Sequence, residues 1–192
     1  MKNVKFLLSA ALVFLASAAL AQDFSAPQYA KWGATPEERE QNILNSNFLK
    51  ESCDNRDYDA AAHYLKGLID KIPDAAESIY QRGAVVYKNK INRAKSVAEK
   101  NMFIDSLMLM YDMRAQYFGD NVKPGKTAFI LDQKAREFLR YKPNDRKGIR
   151  EAFRAAIAQG GPYRKSTRLN SSHQIITKAV VSLIKKWGGG GG

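Results

Sequence analysis

The chain has 192 residues, of which 45% are hydrophobic, and it carries a formal net charge of +12. This length accommodates one ordinary domain or a short repeat array, and the hydrophobic content is sufficient for a buried core. The single cysteine, Cys53, excludes an intramolecular disulfide and a cysteine metal cluster.

Residues 1–21 have the pattern of a secretory signal peptide. Lys2 and Lys5 form a positively charged start, an apolar stretch runs from Phe6 to Leu15, and Ala19-Leu20-Ala21 supplies a small-x-small cleavage site. The apolar stretch is short for a membrane span and no second one follows. We therefore expect an exported protein without a transmembrane segment after cleavage, in the periplasm of a Gram-negative cell. An uncleaved N-terminal anchor is the alternative.

A lead-in segment at 22–35 precedes a run of predicted helices. Thr35-Pro36-Glu37-Glu38 is typical of a helix start, because Thr caps the helix, Pro fits its first position and acids suit its first turn. Apolar residues then recur at helical spacing without a strand-like alternation, so the predicted fold class is all-α. The six predicted helices span about 36–53, 58–71, 75–91, 95–118, 126–141 and 145–159.

The helical spacing also predicts a buried side for each helix. On the first helix this side is formed by Ile43, Leu44, Asn47 and Phe48. On the fifth helix it is formed by Phe129, Ala135, Phe138 and Leu139. The sixth helix ends with apolar Phe153 and Ile157, so we expect further repeats to follow Gly161 in a longer natural protein.

The segment NFLKESCDNRDYDAAAHYLKGLIDKIP, residues 47–73, resembles a tetratricopeptide repeat (TPR), a 34-residue helix–turn–helix. The residues that fit the family's second-helix pattern and closing proline are Tyr58, Ala61, Leu65 and Pro73. Gly83 fits a small-residue position, 34 residues after Leu49. Ala61 and Gly83 are expected where two helices cross closely. The resemblance covers 36–161 and implies an α-solenoid of three TPR-like hairpins.

Two features depart from the family pattern. Asn45 stands where the family has a first-helix Trp, and NKINRAKSVAEKN at 89–101 is longer than the usual turn between helices. Such an insertion is similar to the irregular repeats of exported proteins of the Bacteroides type. The resemblance implies that Tyr80, Gln81, Tyr87 and Lys88 line a concave groove that binds a partner. The alternative for these residues is ordinary surface.

No catalytic or metal-binding motif occurs before residue 163. His63 is the only histidine there and is predicted to be a surface residue. The GDNVKPGK segment at 119–126 lacks the spacing of a phosphate-binding loop. The aspartates around the first turn, Asp54, Asp57 and Asp59, lack the Gly and Glu of a calcium loop, and we interpret them as helix caps. We therefore expect no catalytic residue, no metal and no cofactor.

The last 30 residues resemble translated sequencing adapter rather than protein. RKSTRLNSSH at 164–173 matches one reading frame of a common adapter, and Gly188 to Gly192 match the poly-G end of a read. We interpret 162–192 as an artefactual or disordered tail whose amides would exchange rapidly. A basic amphipathic membrane-surface helix or a nucleic-acid-binding tail is the alternative.

The net charge is much lower when the signal peptide and the tail are left out. Of the 31 Lys and Arg residues, eight lie in 1–21 and 163–192, and no acid lies there. Residues 22–162 therefore have a net charge of +4, which requires neither nucleic acid nor another polyanion as a partner.

The predicted function is a non-catalytic scaffold of the bacterial envelope that binds a protein or peptide in the concave groove of its repeats. Two alternative functions stay open. In the first, the chain is the repeat domain of a longer enzyme. In the second, it is a structural envelope protein that associates with itself.

Overall fold

The computed structural model describes residues 23–160, and within this range the chain is all-α, with no strand. A short 3₁₀ helix spans Pro27–Trp32. The α-helices are α1 (Pro36–Asp54), α2 (Tyr58–Lys71), α3 (Glu77–Arg93), α4 (Val97–Phe118), α5 (Lys126–Tyr141) and α6 (Arg146–Gly160). Each predicted helix boundary lies within two residues of the observed one. The signal peptide predicted at 1–21 and the tail at 162–192 lie outside the described residues.

The described chain divides into two compact units, at residues 23–79 and 80–160. The division falls early in α3, so the first unit contains α1 and α2 and the second contains most of α3 with α4, α5 and α6. No helix among the described residues is both long and apolar enough to cross a membrane.

The lead-in of the first unit is fixed to α1 by polar contacts. Thr35 Oγ1 accepts from the Glu38 amide at 3.2 Å, and the Glu38 carboxylate accepts from the Thr35 amide at 3.4 Å, which makes the predicted helix start a capping box. Arg39 donates to the backbone carbonyls of Phe24, Ser25, Gly33 and Ala34. The Asn42 side-chain amide donates to the Trp32 carbonyl at 2.8 Å.

The predicted buried side of α1 is wrong. The buried residues of this helix are Asn42, Ser46 and Leu49, whereas Leu44 is 42% exposed and Phe48 is 36% exposed. The amide of Asn42 is satisfied by the Trp32 carbonyl, so this polar side chain can be buried at little cost. In α2, by contrast, the apolar residues at 3-4 spacing predict the buried side correctly, because Ala61, Leu65 and Leu68 are all buried.

The second unit has a core between α3, α4 and α5. Its buried members include Ala84, Ile91, Ile104, Leu107 and Ile130. A smaller cluster of Ala135, Ile149 and Phe153 lies where α5 packs against α6. Each helix of this unit therefore buries an apolar side against a neighbour in the chain, which is the main stabilising term for amphipathic helices.

Two further predictions about the second unit are wrong. The connection between α3 and α4 has only the three residues 94–96, because most of NKINRAKSVAEKN is helical. The Ser96 side chain caps α4 by accepting from the Glu99 amide at 3.1 Å. Phe129, expected to be buried, is 46% exposed, and its neighbour Ile130 is the core residue of the first turns of α5.

The loop from α4 to α5 is closed by two reciprocal hydrogen bonds. The Asp120 amide donates to Thr127 Oγ1 at 2.9 Å, and the Thr127 amide donates to the Asp120 carboxylate at 2.9 Å. Gly125 has a φ of +81°, in the left-handed region that favours glycine. The segment GDNVKPGK is thus a structured turn that positions α5.

Candidate functional site

The four residues predicted to line a groove lie on α3 but have different environments. Gln81 is exposed and Lys88 is half-buried. Tyr80 is only 1% exposed, and its ring stacks on Tyr117 with centroids 6.3 Å apart. Tyr87 is half-buried and packs against the core beside Phe103. The polar pair is therefore available to a partner, whereas the two tyrosines are mainly packing residues.

Three of these residues line one cleft in the second unit. The cleft has a volume of about 280 Å³ and is formed by α3, α4 and α5. Its lining residues are Tyr80, Gln81, Ala84, Val85, Lys88, Met110, Tyr111, Arg114 and Gln133. Tyr87 is not among them. Apolar atoms of Ala84, Val85 and Met110 thus lie beside polar groups at one surface, as in sites that bind amphipathic ligands.

An ion pair joins α3 to α5 at this cleft. Lys88 Nζ lies 2.5 Å from Glu137 Oε1, and the two side chains are 32% and 15% exposed. The second carboxylate oxygen, Glu137 Oε2, is buried without a hydrogen-bond partner among the described residues. Because half of the carboxylate is unsatisfied, the lysine is its essential counter-charge.

The Lys88 and Tyr111 side chains have raised pKa values. Burial alone would lower the pKa of Lys88 from its usual 10.5, but hydrogen bonds and charge interactions with Glu137 and Tyr111 outweigh burial and raise it. Burial raises the pKa of the Tyr111 hydroxyl above its usual 10.0, and Glu137 adds to the effect while Lys88 opposes it. At neutral pH the cleft therefore presents an ammonium group and a neutral phenol.

The remaining polar groups come from α4 and α5. Arg114 Nη1 donates to Gln133 Oε1 at 3.0 Å, which fixes the guanidinium at one side of the cleft. Arg114 and Gln133 could not be predicted as cleft residues, because they are separated from Lys88 along the chain and line the same cleft only through helix packing. The only sequence signal in this part of the chain is the 3-4 spacing of apolar residues at 95–118, which predicts a buried side of the helix that includes Met110 and Tyr111.

The histidine of α2 and the aspartates around the first turn lie outside the cleft. His63 is exposed, with its ring 5.7 Å from that of Tyr64. Asp57 caps α2 by accepting from the Ala60 amide at 3.1 Å, and Asp54 pairs with Lys50 at 2.7 Å. Among residues 23–160, no group of His, Cys, Asp or Glu side chains is arranged to hold a metal ion.

Comparison of the chain with protein-family models, curated proteins and solved structures finds no significant match.

Proposed function

We propose that this protein is a non-catalytic interaction scaffold of the bacterial envelope, which binds a protein or peptide in a groove formed by TPR-like hairpins. The envelope location rests on the signal-peptide pattern of residues 1–21. The TPR-like solenoid rests on the repeat positions of 47–73 and on successive helices joined by short connections.

The cleft between α3, α4 and α5 is the observation that carries the proposal. It combines an apolar floor with amide, guanidinium, ammonium and phenol groups. The polar groups can form hydrogen bonds with a peptide backbone, and the apolar floor can contact the peptide's side chains. The Lys88–Glu137 and Arg114–Gln133 contacts hold three of these groups, the ammonium, the guanidinium and one amide, before any partner arrives. Such preorganisation reduces the ordering cost of binding.

The packing of the helices also supports a repeat arrangement. In the second unit, α5 packs against both α4 and α6, while Lys88 and Glu137 join α3 to α5. In a TPR solenoid, the first helices of successive hairpins are neighbours and line the concave side. The proposal assigns that role to α3 and α5.

The test uses peptides selected against the purified chain from a random display library. Val85 lines the cleft and is 44% exposed, so Val85→Trp fills the cleft without disturbing the core. Val97 is 77% exposed on α4 outside the cleft, and Val97→Trp is the matched control. We expect V85W to weaken binding of the selected peptides about tenfold or more and V97W to leave it unchanged. Binding that is insensitive to V85W would contradict the proposal.

A further inference from the structure

A basic stripe runs along the exposed side of α6, separate from the cleft. It consists of Arg146, Lys147, Arg150, Glu151 and Arg154, which line a shallow groove of about 450 Å³. The opposite side of the helix, with Ile149 and Phe153, is buried against α5. The stripe is thus held in place by the core but faces outward.

Three of the four cations of the stripe have no ion-pair partner within the described chain. Lys147, Arg150 and Arg154 make no ion pair with another residue in 23–160. The net charge of the stripe is +3, compared with +4 for the whole of residues 22–162. Most of the excess charge of that segment is therefore concentrated on one helix.

The arrangement is unfavourable for the isolated helix. Asp145 precedes α6, and its carboxylate accepts from the Gly148 amide at 2.8 Å, which offsets the placement of Arg146 and Lys147 at the positive end of the helix dipole. Arg146, Arg150 and Arg154 follow one another at four-residue spacing, which places like charges side by side. The repulsion between these like charges is relieved if an external anion binds along the stripe.

The spacing favours one kind of anion. Arginines four residues apart on a helix are separated by about 6 Å along its axis, and alternate side chains of an extended peptide are separated by about 6.7 Å. Guanidinium groups also bind carboxylates in a two-point geometry. Glu151 lies inside the stripe and repels phosphates and carboxylates alike, but it can accept hydrogen bonds from the backbone N–H groups of a peptide.

The stripe lacks the features expected of a site that binds nucleic acid or a lipid membrane. None of its five residues is aromatic, so it offers no ring on which bases could stack. None of the five is apolar, so the stripe offers nothing to insert below lipid headgroups. We propose that the α6 stripe binds an extended acidic segment of a partner protein, with Asp or Glu at alternate positions.

Fluorescence anisotropy with the complete chain tests this proposal. The probe is a labelled octapeptide that alternates Asp and Ser, and an Asn–Ser octapeptide is the neutral comparison. Arg150→Gln with Arg154→Gln removes two stripe charges. Lys100→Gln with Lys123→Gln removes two exposed charges elsewhere and is the matched control.

We expect the stripe variant to weaken acidic-peptide binding about fivefold or more, the control variant to change it less than about twofold, and the Asn–Ser peptide not to bind. Circular dichroism should show the same helix content in all variants. Equal losses in both variants, or no loss in either, would overturn the proposal.

Oligothymidylate and phosphatidylglycerol vesicles are two further probes, one for nucleic acid and one for a membrane. Tighter stripe-dependent binding of either one than of the peptide would replace the acidic segment with nucleic acid or membrane.

Discussion

Lys88 illustrates how a single residue can serve both the core and the surface. Its stem lies on α3 beside the cleft, and its ammonium group meets Glu137 of α5 at 2.5 Å. The Tyr111 hydroxyl of α4 is the third member of this group. The three side chains therefore join the three helices that form the cleft.

Removing the lysine alone should destabilise the protein more than removing the whole ion pair. Lys88→Met leaves the Glu137 carboxylate largely buried without a counter-charge, and we expect it to lower the free energy of unfolding by about 2 kcal/mol. In K88M/E137M both charges are absent, and we expect a loss of about 1 kcal/mol or less. Urea denaturation of the three proteins measures this difference. A double variant that is less stable than K88M would contradict the assignment.

The raised pKa values predict a loss of stability in alkali. Because the pKa values of Lys88 and Tyr111 are higher in the folded state, their contribution is fully present below the unfolded values of 10.5 and 10.0. It is lost as the pH rises through the folded-state values. We expect Tyr111→Phe to be less stable than the parent at pH 8, by about 1 kcal/mol, and the gap to narrow above about pH 10. Urea denaturation at each pH checks this, and a constant gap would argue against it.

At the scale of the elements, two glycines should respond oppositely to the same substitution. A Cβ on Gly119, after the end of α4, would lie 2.3 Å from both the Ala115 carbonyl oxygen and Thr127 Oγ1. A Cβ on Gly67, inside α2, would meet nothing within 4 Å. We expect Gly119→Ala to destabilise the protein by about 2 kcal/mol and Gly67→Ala to stabilise it by up to about 1 kcal/mol. Thermal unfolding measures both, and a Gly119→Ala variant that is as stable as the parent would disprove the close approach at Gly119.

The lead-in depends on one arginine of α1. Arg39 donates to four carbonyls of the preceding segment, so Arg39→Met should release it while α1 stays helical. We expect amide exchange of 24–34 to become about tenfold faster. Lys50→Met on the same helix removes only an exposed pair with Asp54 and is the control. Unchanged protection in R39M would show that Arg39 does not hold the segment.

Helix positions followed from local signals, whereas helix faces did not always do so. Caps, Pro, Gly and apolar spacing act over a few residues, and they placed each of the six helices within two residues of its observed ends. The side that α1 buries depends on a distant carbonyl, that of Trp32, which accepts from Asn42. A hydrophobic pattern carries no information about such a partner, so Leu44 and Phe48 were placed inside instead.

The cleft shows the same limit. Gln81 and Lys88 lie on one helix and were identified from the repeat resemblance alone. Arg114 and Gln133 come from two other helices, and their meeting depends on the packing of the core of Ala84, Leu107 and Ile130. The sequence alone does not show this three-helix arrangement, so it gives no reason to predict either residue as part of the cleft.

At the scale of the whole molecule, the cleft and the stripe differ in how their charge is used. The Lys88 ammonium is paired with Glu137, whereas Arg150 and Arg154 make no ion pair in the described chain. Binding at the stripe should therefore depend strongly on salt, because the arginines must exchange solution counterions for the partner. Binding in the cleft should depend on salt less strongly, because the Lys88 ammonium already has a counter-charge in Glu137.

Self-association is the competing whole-molecule function, and the last hairpin offers a way to test it. Phe129 and Ile157 are 46% and 54% exposed on α5 and α6. If copies of the chain stacked through this hairpin, Phe129→Ser with Ile157→Ser would reduce the mass measured by light scattering. The scaffold proposal instead predicts the mass of one chain at every protein concentration, with and without these substitutions, because the cleft is complete within one chain. A mass that rises with concentration and falls in F129S/I157S would favour the self-associating structural protein.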